Sequence, residues 1–187
     1  TYDSIQKAGH KYIFRKRLAG QEQPSIFLRE GPDGPDQLLL DPAERGAGPY
    51  TAVKPLCVSP DGRLLLYEVK EGGERTGTFE LLEIESRKML PDNLPHGYLR
   101  GFAFVPDCRS FYYVHEDPRG PRPHDRAAYH HVLGTSFGND RQIFFAGEGQ
   151  NIRLQIVAGK EQLGFLVYRL LDKTYTDFYL WPFDSKD

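Results

Sequence analysis

Few residues in this chain have the types and spacing that chemistry requires, and most of those stand in unsuitable surroundings. Gly134-Thr-Ser-Phe-Gly138 matches G-x-S-x-G. That spacing places a serine on a sharp strand-to-helix turn, its oxygen exposed beside backbone N–H groups that can hold an oxyanion. A β-type run, Ala128 to Leu133, precedes the motif, but Asn139-Asp-Arg141 and a second β-type run, Gln142 to Phe145, follow where a helix is needed. Ser136 therefore reads as the tip of a loop between two strands, and no catalytic residue is assigned.

The other reactive side chains lead to the same reading. The six histidines are His10, His96, His115, His124, His130 and His131. His130 and His131 are adjacent in a β-type run, so their side chains point to opposite faces and cannot share a metal. No HExxH spacing occurs, and no carboxylate completes a site. Glu83 and Glu85 share one face opposite Leu82 and Ile84, the pattern of a sheet with one wet side. The glycines at 31, 34, 72 and 73 punctuate turns instead of preceding helices, so a phosphate cradle lacks its geometry. No metal and no cofactor are expected. Cys57 and Cys108 are too few for a disulfide framework and form no CxxC pair; they read as reduced, small hydrophobes.

Charge and hydropathy exclude two classes of partner. The 24 Lys and Arg against 26 Asp and Glu give a net charge of −2, so no global positive field points to nucleic acid. No apolar run approaches the roughly 20 residues of a membrane span. A cytoplasmic location is favoured over a periplasmic one. The chain opens at Thr1-Tyr-Asp without an initiator Met and is expected to be a piece of a larger protein.

The elements that must position these residues come in short bursts rich in Tyr and Phe, with turn chemistry between them and no sustained 3.6-residue period. One unit recurs. Cys57-Val-Ser-Pro-Asp-Gly-Arg-Leu-Leu-Leu-Tyr67 is followed by Phe104-Val-Pro-Asp-Cys-Arg-Ser-Phe-Tyr-Tyr113, which puts Pro60 and Pro106 46 residues apart, and Tyr67 and Tyr113 likewise. A period near this length, with apolar runs flanking a Pro-Asp turn, describes a propeller blade. The expected fold is all-β: a partial β-propeller spanning 1–187, with blade-like units at roughly 10–46, 50–94, 98–146 and 151–184. The middle two are expected to be complete four-stranded blades and the outer two incomplete, in a parent of seven blades. The segment Asp117 to Asp125 reads as a proline-rich excursion, because Pro blocks ladder hydrogen bonds. Open ends of such a piece leave unpaired strand edges and invite edge-strand self-association.

A series of short motifs then carries a resemblance. Glu22-Gln-Pro24, Leu40-Asp-Pro42, Ser59-Pro-Asp-Gly62 with Leu66-Tyr67, Glu71-Gly-Gly73 and Leu90-Pro-Asp92 occur in order. They are followed by Tyr129-His-His-Val-Leu-Gly-Thr135 and then Asp140. Together they resemble the N-terminal β-propeller of the prolyl oligopeptidase family of serine peptidases across most of residues 10–145; residues 146–187 resemble it only loosely.

The resemblance implies a parent in which a seven-bladed propeller caps an α/β-hydrolase domain bearing a Ser-Asp-His triad. The triad lies beyond Asp187 in the family's order, so the hydrolase domain is absent here and no triad residue is carried over. The propeller of such an enzyme restricts access to short peptides, cleaved after proline, or after basic residues in the oligopeptidase B-like branch. The implied partners are the hydrolase domain of the same chain and short peptide substrates. The enzyme would be the parent and not this piece alone. Leu99 matches, by its spacing from Leu90-Pro-Asp92, a family position that faces the substrate cavity. A non-enzymatic propeller serving as an interaction scaffold is the alternative.

Overall fold

Alternating apolar and polar residues, interrupted by Gly, Pro and Asp, fold into short antiparallel strands. A computed structural model describes residues 2–45, 50–159 and 161–183, and they fall into two units, 1–96 and 97–187. The first unit begins with strands β1 (Tyr2–Ala8), β2 (Lys11–Lys16), β3 (Ser25–Glu30) and β4 (Gln37–Leu40), in that spatial order. A 3-10 turn, Pro42–Arg45, follows. A second sheet contains β5 (Ala52–Val58), β6 (Leu64–Lys70), β7 (Gly77–Glu83) and the short β8 (Lys88–Met89), each paired antiparallel with the next. The core between these two sheets includes Ile13, Ile26, Val53, Leu65 and Tyr67, all fully buried. Each such aliphatic side chain contributes about 1.5–3 kcal/mol on burial.

The second unit repeats the plan. Strands β9 (Leu94–Phe104), β10 (Ser110–Glu116), β11 (Asp125–Val132) and β12 (Arg141–Glu148) pair in sequence order. They are followed by a three-stranded sheet of β13 (Ile152–Ala158), β14 (Gln162–Leu170) and β15 (Thr174–Pro182). Val114, Ala128, Leu154, Leu163, Phe165 and Val167 fill the core. The 46-residue repeat is visible atom by atom. Ser59 N–H donates to the Leu64 carbonyl at 2.9 Å, and Val105 N–H to that of Ser110 at 3.0 Å. Asp61 and Asp107 each accept from the backbone N–H two residues on, at 3.0 and 2.9 Å. The Pro-Asp turns are thus one device used twice, fixing the register of the strands they join.

The all-β architecture of successive four-stranded sheets is the one expected, and among the described residues the C-terminal sheet has three strands. The N-terminal sheet differs: β1 supplies a strand where the sequence shows no identifiable one, so this sheet has four strands and starts before residue 10. Only Ile5 in β1 is strongly apolar, and the strand is broken by Ser4 at φ 54° and a register shift between Asp3 and Gln6. β9 begins four residues before the expected 98, and Asp125, expected in the excursion, opens β11. The expected unit ends at 46 and 184 lie outside the described residues.

Candidate functional site

Ser136 lies where the loop reading places it. It caps the 3-10 turn Phe137–Asn139 between β11 and β12, its hydroxyl accepting from Gly138 N–H at 3.3 Å. Among the described residues it makes no hydrogen bond to a histidine, so a nucleophile–base contact is not assembled here. The two adjacent histidines do diverge. His130 rests on the Tyr112 ring, and its pKa is lowered by burial and by Arg141 nearby. His131 is fully buried, stacked on Phe137 at 4.0 Å between ring centres, with Nδ1 2.8 Å from Asp140 Oδ1. The other Asp140 oxygen accepts from the Tyr113 hydroxyl at 2.8 Å, and burial together with that carboxylate raises the Tyr113 pKa far above its ordinary value. Asp140 therefore ties the loop to the sheet. Cys57 and Cys108 form no disulfide, and burial pushes Cys57 up to about 11, which makes it inert at neutral pH.

A further polar constellation lies elsewhere, on strands that are far apart in sequence. β9 carries an extra residue: Leu99 pairs with His115 and Gly101 with Val114, which leaves Arg100 unmatched. Such a bulge interrupts strict alternation and redirects a side chain. Arg100 sits over the Tyr98 ring, 4.4 Å from its centre, and donates from Nε to Glu116 Oε2 at 3.0 Å. Glu116, the last residue of β10, is buried. Its Oε1 lies 3.2 Å from Nε of Arg126, a side chain only 5 % exposed. Arg126 in turn donates to the carbonyls of Ile152, Pro123 and Asp125 at 3.1 Å each. A carboxylate so far from water costs several kcal/mol unless cations accompany it, and here two guanidiniums do.

These groups line a cleft of about 430 Å³ with Pro118, Pro123, His124, Gln150 and Arg153. Arg153 is fixed by donating to the Gln150 and Ile152 carbonyls at 2.6 and 2.9 Å. Leu99 is half-buried and pairs with His115, while its neighbours Tyr98 and Arg100, and not Leu99 itself, line the cleft. Sequence reasoning did not find the cluster. The available signal was Arg126 leading the apolar pair Ala127-Ala128 on a strand, an arginine whose neighbours are core residues.

Comparison with known proteins identifies the architecture. The family model for the prolyl oligopeptidase N-terminal β-propeller domain matches residues 1–186. The chain belongs to that family. It is similar to a prolyl endopeptidase of Elizabethkingia meningoseptica, 24% identical over 138 residues that cover 71% of this chain and 20% of that protein. Among solved structures, a prolyl endopeptidase superposes with a TM-score of 0.83 at 20% identity, covering all of this chain and 28% of the other. Oligopeptidase B from Leishmania major superposes at 0.71 and 14% identity, covering all of this chain and 26% of the other. The chain thus spans about a fifth of the length of the prolyl endopeptidase relative, and at these identities the structural matches establish the propeller fold alone.

Proposed function

We propose that this chain is the non-catalytic propeller of a serine endopeptidase that hydrolyses short peptides after proline, and that it controls their access to a hydrolase domain carried by the same parent. The observation that carries this reading is the family match running from residue 1 to residue 186. The reaction would be acyl transfer through a serine ester, with all reacting groups on the hydrolase domain. Leu99 is assigned to the wall of the substrate cavity, where an apolar side chain would contact the peptide without touching the reacting atoms.

The oligopeptidase B-like alternative, cleavage after basic residues, is disfavoured by charge. The cleft beside Leu99 holds three arginines against one glutamate, the wrong sign for drawing in a cationic peptide. The test has two arms. The isolated chain is expected to leave a chromogenic prolyl peptide intact, while the enzyme containing it turns the peptide over. In that enzyme, Leu99→Ala is expected to raise KM several-fold with kcat unchanged, the signature of lost ground-state binding. Turnover by the isolated chain that disappears in Ser136→Ala would overturn the assignment.

A further inference from the structure

We propose that the cleft around Arg100, Arg126 and Arg153 binds the carboxylate of a peptide. The positive charge is built in and held. Arg126, buried, is locked by three backbone carbonyls, and the more exposed Arg153 is oriented through Nη1 by two. Arg100 sits over the Tyr98 ring and is tied by Nε to Glu116. With Nε engaged, both terminal nitrogens of Arg100 remain without a hydrogen-bond partner among the described residues, as do Nε and Nη2 of Arg153. Guanidiniums whose orientation is set before a ligand arrives lose little on binding, and a planar fork with two donors matches a carboxylate in both distance and plane.

Charge alone does not choose between anions, because a dianion doubles the attraction of the three arginines together with the repulsion of Glu116; the walls of the cleft do. Tyr98, Pro118 and Pro123 supply apolar walls for the residue that bears the carboxylate, and about 430 Å³ is room for a few residues and not for a folded partner. That the ligand is a peptide rests on the function proposed above; that it presents a carboxylate rests on the cleft alone. Two sources of that group fit the chemistry, a free C-terminus and an Asp or Glu side chain.

Titration calorimetry on the intact chain tests this with four probes: an N-acetylated Ala-Ala-Ala peptide with a free carboxylate, its C-terminal amide, an amidated peptide with one internal Asp, and inorganic phosphate. The free carboxylate is expected to bind and the amide not to. Binding of the internal-Asp peptide at comparable strength would assign the site to acidic side chains as well, within the same proposal. Arg100→Gln and Arg153→Gln, each verified to melt with the parent chain, are expected to weaken binding about tenfold or more, since charge-assisted hydrogen bonds are lost. Binding should also weaken as salt is raised. Equal binding of acid and amide, tighter binding of phosphate, no binding of the carboxylate probes, or indifference to both arginine variants would overturn the assignment. Carboxylate binding in a protein whose parent fails to cleave prolyl peptides would sink the proposed function and leave this site standing.

Discussion

Tyr67 and Tyr113 occupy the same place in two successive sheets, 46 residues apart, yet the polar partners that keep their hydroxyls buried are unrelated. In the first unit Tyr67 donates to Glu80 on the neighbouring strand, and Glu80 is bridged by Arg45 from the 3-10 turn after β4. In the second unit Tyr113 donates to Asp140, at the end of the loop that follows β11, and Asp140 is paired with His131. A phenol buried without an acceptor costs about 1–3 kcal/mol, so the tyrosine demands a carboxylate and the carboxylate demands a donor. Neither demand says where on the chain the partner must come from. The repeat conserves the strands and the turn, and lets the loops solve the polar problem separately each time.

The strongest test of that view removes the two carboxylates in turn. Asp140→Ala leaves both the Tyr113 hydroxyl and His131 Nδ1 buried without this acceptor, and is expected to cost about 3 kcal/mol or more by urea denaturation. Glu80→Ala strips Tyr67 and Arg45 in the same way, but the Glu80 side chain is 14% exposed against 3% for Asp140, so water replaces part of what is lost. The expected loss is about 2 kcal/mol. Equal losses would mean that the two networks are equivalent after all.

The bulged strands sharpen the contrast. β5 and β9 both carry an extra residue, Leu56 in one and Arg100 in the other, but only β9 carries glycines, at 97 and 101, where neighbouring atoms come close. A Cβ placed on Gly101 would lie 2.7 Å from the Ile156 backbone nitrogen, and one on Gly97 2.5 Å from the Glu116 carbonyl oxygen. Gly101→Ala is therefore expected to destabilise by about 1–3 kcal/mol through forced backbone movement. It should also loosen carboxylate binding, because Arg100 precedes it directly. A stable Gly101→Ala protein with unchanged binding would separate the bulge from the cleft.

High pH probes both tyrosines at once. Burial and the adjoining carboxylates raise the pKa of Tyr67 and of Tyr113, so the folded chain keeps protons that the unfolded chain releases near pH 10. The stability this contributes is complete below about pH 10 and is lost as pH rises further. The melting temperature is expected to fall more steeply above that point in the parent than in a Tyr67→Phe, Tyr113→Phe double variant. Parallel curves would remove titration from the account.

How much of this the residues announced depends on whether the signal was local. β5, β6 and β7 are legible because apolar alternation and the Ser59-Pro-Asp-Gly62 turn lie within one short stretch. β1 is not, because its one large aliphatic residue, Ile5, is exposed, and its pairing with β2 supplies what its own pattern lacks. The Ser136 loop and the divergence of His130 and His131 follow from period-two geometry. The arginine cleft could not be read, since Arg100, Glu116, Arg126 and Arg153 stand on four strands, and only the tertiary fold brings them together. Leu99, assigned by family spacing, lands one residue from that cleft, which no local pattern foretold.

The smallest effect concerns the turn itself. Gly62 and Cys108 are equivalent by the repeat, and both adopt left-handed backbone, φ 71° and 56°. Each donates its N–H back across the turn, to Ser59 and Val105 at 2.8 and 2.9 Å. A Cβ on Gly62 would meet nothing closer than 3.5 Å, the Lys11 side chain, so Gly62→Cys seats its Cβ without a clash and exposes chiefly the conformational penalty. That penalty is expected to lower stability by about 1 kcal/mol. The reverse change, Cys108→Gly, relieves the same strain but gives up a buried side chain and a stiffer unfolded chain, and should move the urea midpoint by less than half as much. If Gly62→Cys proves neutral, the second turn tolerates its cysteine because the turn is permissive; if it costs the expected amount, the packing around Cys108 compensates for the strain, and the two units differ here as they do at their tyrosines.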